Sequence, residues 1–194
     1  MLMALTTYLG LNVGDLPNLK RQYFTAVSQS DAGKEATLSD AMRDVGLRLS
    51  EHRLAGIGTA IFVMMVHSLA ITYFVGTTRW CREVAETYGL APAFFKRSQS
   101  NKRRNFPWAS LGMLTVIVVA AFAALADGTR DHSPLQETAA AWMEPHMIVA
   151  LLGTAFTAVC AFFEVGHLDR QSTLIHEMMG EVARIRREKG LETD

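Results

Sequence analysis

Three long apolar stretches limit what this chain can fold into. Leu54–Val75 and Ala109–Ala126 contain no Asp, Glu, Lys or Arg, and Pro145–Gly166 contains a single charged residue, Glu164. A helix of roughly 20 mostly apolar residues covers a hydrocarbon core of about 30 Å, so each stretch has the length and composition of a membrane span. Three buried helices of a soluble protein are the competing explanation. Runs of this length without charge exceed ordinary core helices, which carry a polar face. The three tryptophans, Trp80, Trp108 and Trp142, each lie just outside a span, where an indole ring sits half in hydrocarbon and keeps its N–H wet.

The expected fold class is therefore all-α: an integral membrane protein with three transmembrane helices plus amphipathic N- and C-terminal helices. Residues 1–53 form an N-terminal amphipathic segment, 54–166 the membrane domain with spans 54–75, 109–126 and 145–166, and 167–194 a C-terminal amphipathic helix and tail. Met1–Leu11 is too short to span and lacks the basic leader of a signal peptide. Gly14, Asp15 and Pro17 mark a turn. Asn18–Ser28 reads as a short amphipathic helix, with Leu19, Tyr23 and Val27 at helical spacing. Ser39 is the expected N-cap of a helix that runs unbroken into the first span, carrying Leu38, Met42, Val45 and Leu49 on one face. After the last span, Leu168, Ile175, Met178, Met179, Val182 and Ile185 form an apolar stripe that Gly190 ends. Such a helix lies on the inner leaflet or packs against a partner.

Lys and Arg set the expected orientation. The loop Thr77–Pro107 holds Arg79, Arg82, Lys96, Arg97, Lys102, Arg103 and Arg104, and Pro92 breaks any helix in it. The loop Asp127–Glu144 holds only Arg130. Basic residues stay cytoplasmic, which places Thr77–Pro107 and the C-terminus inside, in a bacterial inner membrane, and leaves twelve of the 19 Lys and Arg on that side. Lys20, Arg21, Lys34, Arg43, Arg48 and Arg53 oppose this orientation. The formal net charge is zero, which gives no reason to expect nucleic acid among the partners. The expected partners are the lipid bilayer and other membrane subunits or further copies of the chain.

The third span carries one unusual stripe. His146, Ala150, Gly153, Thr157, Cys160, Glu164 and His167 follow at alternating steps of four and three and share a helix face, while Phe156, Phe162 and Phe163 lie elsewhere. Gly153, Thr157 and Cys160 are the expected helix-packing residues, since small side chains let backbones approach in lipid. Glu164 and His167 have the Glu-x-x-His spacing of di-metal bundles, but only one such pair exists. Without a second pair, Glu164 is expected at the water boundary, paired with Arg170 or a loop arginine. His67 in the first span is the candidate cofactor ligand, through haem or at a quinone site. Measured from the span ends, its depth falls opposite Thr157. No phosphate loop, nucleotide fingerprint or nucleophile elbow is present. These features point to a non-catalytic structural or accessory subunit of a larger membrane complex. A redox subunit using His67 and an oligomeric channel or transporter component are the alternatives.

Overall fold

The computed structural model describes residues 2–127 and 135–191, with side chains described except at Pro17 and residues 135–140. Five helices and no strand occur among them: α1 (Leu2–Leu11), α2 (Leu16–Ser28), α3 (Ala32–Tyr88), α4 (Ala93–Leu125) and α5 (Leu135–Glu188). The apolar stretches lie within α3, α4 and α5, all three long and apolar enough to cross a membrane. The most apolar windows of these helices have mean hydropathies of 2.0, 2.2 and 2.1, and only 17%, 17% and 22% of each is buried inside the chain. A soluble bundle would hide such surface; here it faces outward, as lipid-facing helices do.

Several boundaries differ from the sequence reading. The helix of the first span starts at Ala32, a full two turns before Ser39. The Asp31 carboxylate accepts the Lys34 N–H at 3.1 Å there, and these contacts hold its carboxyl below the usual range. The stretch Thr77–Pro107 is not a loop. α3 continues to Tyr88 and α4 begins at Ala93, leaving a turn at Gly89–Pro92. Gly89 takes φ +65°, and the Leu90 N–H reaches back to the Ala85 carbonyl at 2.9 Å, closing α3 with a Schellman motif. Pro92 does break the helix, but only over this turn. The acidic connection is also shorter than expected, because α5 begins at Leu135; residues 128–134, including Arg130 and Asp131, lie outside the described residues. Both Pro107 and Pro145 sit inside helices.

Contacts divide the chain into two units, and each helix of the membrane domain contributes to both. The first unit takes residues 1–62 and 115–155. In it, the short helix α1 docks on α3: Thr6 Oγ1 and Thr59 Oγ1 share a hydrogen bond of 2.8 Å, and a ring nitrogen of His52 meets the Thr6 carbonyl at 3.1 Å. Thr7 and Thr154 tie α1 to α5 at 3.4 Å. Gly153 is buried as expected: a Cβ there would meet Val119 Cγ2 at 2.6 Å and Thr115 Cγ2 at 3.2 Å. Arg53 pairs with Asp127.

The second unit takes residues 63–114 and 156–194. Within it α3 and α5 run parallel and α4 antiparallel to both. Cys81, Ala85 and Leu90 pack with Met178 and Val182, flanked by Trp80, Val84, Tyr88, Phe94, Ile175 and Ile185. The C-terminal helix expected to find a leaflet or a foreign partner thus packs on α3 of its own chain. Gly190, at φ +64°, ends it.

Candidate functional site in the bundle core

The second unit is built on a repeat near 3.5 residues. On α5 the buried positions are Thr157, Cys160, Glu164, His167, Gln171, Leu174, Met178 and Val182; on α3 they are His67, Ala70, Phe74, Thr78, Cys81 and Ala85. That repeat keeps one seam of each helix toward its neighbours. Of the expected stripe from His146 to His167, Gly153, Thr157, Cys160, Glu164 and His167 are buried and His146 and Ala150 half-buried, while Phe156, Phe162 and Phe163 point outward at 39%, 76% and 41% exposure. Phe163 stacks on Trp108 at 4.2 Å between ring centres.

What the seam encloses is polar. His67 and Glu164 are 1% and 3% exposed, and the imidazole Nδ1 lies 2.8 Å from the Glu164 Oε1. This corrects two expectations at once. Glu164 is not at a water boundary with an arginine, and the partner of His67 is Glu164 rather than Thr157. The cause is register. α3 and α5 are parallel, and the contacts His67–Glu164 and Thr77–Gln171 bracket their alignment. Gly166, the inner end of the third apolar run, is then level with residues 69–72, whereas the first run continues to Val75, about three to six residues or roughly 5 to 9 Å further along. Depths counted from run ends therefore mislead. Thr157 is buried, but its hydroxyl makes no hydrogen bond.

The other edge of His67 faces α4. A Cβ on Gly112 would lie 2.4 Å from Nε2 and 2.5 Å from Cε1, so only glycine fits against the ring. Nε2 is buried and without a hydrogen bond among the described residues. The ring is thus held between a carboxylate on α5 and bare backbone on α4. In this packing no space remains at Nε2 for an iron–nitrogen bond of about 2 Å and the macrocycle behind it. The hydrogen bond between His67 and Glu164 lowers the cost of holding two polar groups in an apolar layer.

Two turns of α5 further, amides and hydroxyls replace the histidine–glutamate pair. Gln171, fully buried, donates from Nε2 to Ser98 Oγ at 2.8 Å and to Thr77 Oγ1 at 3.2 Å. Ser98 donates to Thr78 Oγ1 at 3.1 Å, and Asn101 Nδ2 donates to Gln171 Oε1 at 3.2 Å. All three helices are joined through one side chain. None of these residues stood out in the sequence, although Gln171 occupies the next step of four after His167. Asn105 is 1% exposed, yet neither atom of its amide has a partner among the described residues. Asn105→Leu, close to isosteric, is expected to leave the unfolding free energy unchanged or raise it by about 1 kcal/mol, because it removes an unpaired buried amide. A chemical-denaturation curve in detergent reads this directly; a loss above about 1 kcal/mol would show the amide to be satisfied.

His167 is 7% exposed with Nδ1 unpartnered. Burial first, and then the charges of Arg170 and Arg104, hold its imidazole below the usual histidine range. The pairing of Glu164 and His167 on one ion is not assembled into a larger set: among the described residues no group of three or more His, Cys, Asp or Glu is placed to hold a metal. Compared with protein-family models, curated proteins and solved structures, the chain matches none. Fold and site thus define a polar-cored, three-span helical membrane protein, and the chemistry of its own residues is what bears on its role.

Proposed function

We propose that this chain is a non-catalytic structural or accessory subunit of a larger membrane assembly, seated in a bacterial inner membrane. The observation that carries the reading is how the polar groups of the second unit are used. Its histidine–glutamate pair and its glutamine network bond helix to helix, while its outward faces carry large apolar side chains such as Leu69, Val159, Phe162 and Val165. Such a core fixes register, the best-attested use of buried polar groups, and leaves the outer surface for lipid and neighbouring subunits. Native mass measurement after extraction in mild detergent tests this. A particle of defined stoichiometry, well above 21.4 kDa, is expected; monomer at every protein concentration would overturn the reading. The same measurement bears on an oligomeric channel or transporter, which would need several copies around a pore.

The redox alternative, haem or quinone at His67, requires α4 to withdraw from Nε2. A visible spectrum of purified protein with a Soret band that disappears in His67→Ala would put it first.

For orientation, the basic end, Arg79 to Arg104 and the C-terminus, is cytoplasmic by the distribution of Lys and Arg. Cys81 is a poor reporter of this, because it is fully buried and burial pushes its thiol up, disfavouring the reactive thiolate. Cys81 is expected to resist an impermeant maleimide on either side of the membrane and to react only after unfolding. An exposed replacement, Thr87→Cys, is expected to stay unlabelled in intact cells and to label after lysis; labelling in intact cells would reverse the topology.

A further inference from the structure

Outside the core, α4 and α5 leave a groove of about 320 Å³ at the basic end of the bundle, lined by Arg97, Asn101, Arg104, Asp169, Arg170 and Thr173 among others. Its three guanidinium groups face one carboxylate. Arg97 is engaged by Glu177 at 2.6 and 3.3 Å. Arg104 and Arg170 make no hydrogen bond or ion pair with the described residues. We propose that this groove binds the phosphate of one anionic phospholipid, with Arg104 and Arg170 as its donors.

Position argues for a lipid rather than a soluble phosphate. By the register of α5 against α3, Arg170 is level with residues 73–76, where the first apolar run ends at Val75, and Arg104 stands five residues before Ala109, about 8 Å along its helix. The headgroup layer of one leaflet is about 5 to 8 Å thick, so both guanidinium groups reach the depth of lipid phosphates. Arginine's planar fork suits a phosphodiester, which presents two oxygens in the same plane. Directly toward the membrane, Trp108 (four residues after Arg104) and Phe163 (seven before Arg170) stand on the same helix faces as the arginines and stack on each other. They give the first carbons of an acyl chain an aromatic wall. Basic pockets between membrane helices on the cytoplasmic side recognise anionic headgroups by this combination of charge and apolar support.

The test is native mass spectrometry of the delipidated full chain, titrated separately with dioleoyl phosphatidylglycerol and dioleoyl phosphatidylcholine. One saturable phosphatidylglycerol adduct is expected, with phosphatidylcholine binding far more weakly. Arg104→Gln/Arg170→Gln is expected to weaken the adduct about 30-fold, near five-fold per arginine. The equal-charge control Arg82→Gln/Arg187→Gln is expected to leave it intact. If the first variant loses helical circular dichroism, Arg104→Lys/Arg170→Lys keeps the charge and is expected to lose several-fold through the missing bidentate contact. Equal binding of the two lipids, equal loss in the control, or full binding by the folded Arg104/Arg170 variants would each overturn the proposal. Displacement of the lipid by millimolar glycerol 1-phosphate or inorganic phosphate would overturn it in favour of a soluble-anion site.

Discussion

Glu164→Leu is expected to destabilise the bundle by about 3 kcal/mol, and His67→Leu by a similar amount, while the double variant recovers most of the loss. Removing either partner leaves the other buried with nothing to bond, and that orphaned group, rather than the lost attraction, supplies most of the cost. The figure sits at the low end for buried pairs because a chain unfolded within a membrane also finds hydrogen-bond partners. Two leucines in place of the pair remove the orphan and fill the space. Equilibrium unfolding in mixed detergent micelles of the four proteins gives the coupling energy as a double-mutant cycle. Additive losses would show that the 2.8 Å contact contributes nothing.

Gly112→Ala is expected to cost about 2 to 3 kcal/mol, with Gly112→Val worse. The added carbon would sit 2.4 Å from the imidazole Nε2. The ring cannot retreat, because its far side is fixed by Glu164, so α4 must move away instead. Gly166 supplies the contrast on α5, since a Cβ there meets nothing within 4 Å. Gly166→Ala is expected to be neutral or stabilising by up to about 1 kcal/mol through helix propensity alone. Thermal unfolding of the two variants in the same detergent checks the sign. Equal behaviour would mean that α4 does not press on His67.

Much of the architecture was legible in the residues. The three spans, the Gly153–His167 part of the stripe that was expected from His146, the outward phenylalanines and the end at Gly190 all follow from helical periodicity and apolar run length, which are local properties. The partner of His67 was not legible, because it depends on how parallel helices align along their axes. Periodicity shows which face a residue occupies and says nothing of axial register, and the ends of the apolar runs gave a false ruler. Gln171 was missed for a related reason. A neutral amide outside an apolar run looks like surface, and only its place in the 3.5-residue repeat marks it as interior. The stretch Thr77–Pro107 was read as a loop because its charges suggested solvent; the charges are solvated, but on helices that the turn at Gly89–Pro92 joins closely.

The uneven reach of the apolar runs has a mechanical consequence for the bilayer. On the α3 side the hydrocarbon-loving surface extends to Val75, while on the α5 side it stops at a level equivalent to residues 69–72. A flat leaflet of uniform thickness cannot match both. The protein can lean so that its oblique edge becomes parallel to the headgroup plane, or the leaflet can thin beside α5; each mismatched ångström costs a fraction of a kcal/mol. The thinned flank is the one that carries Arg104 and Arg170. Where the leaflet thins instead of the protein leaning, α5 borders a thinner patch of bilayer, and neighbouring membrane proteins would feel that gradient before they touch it.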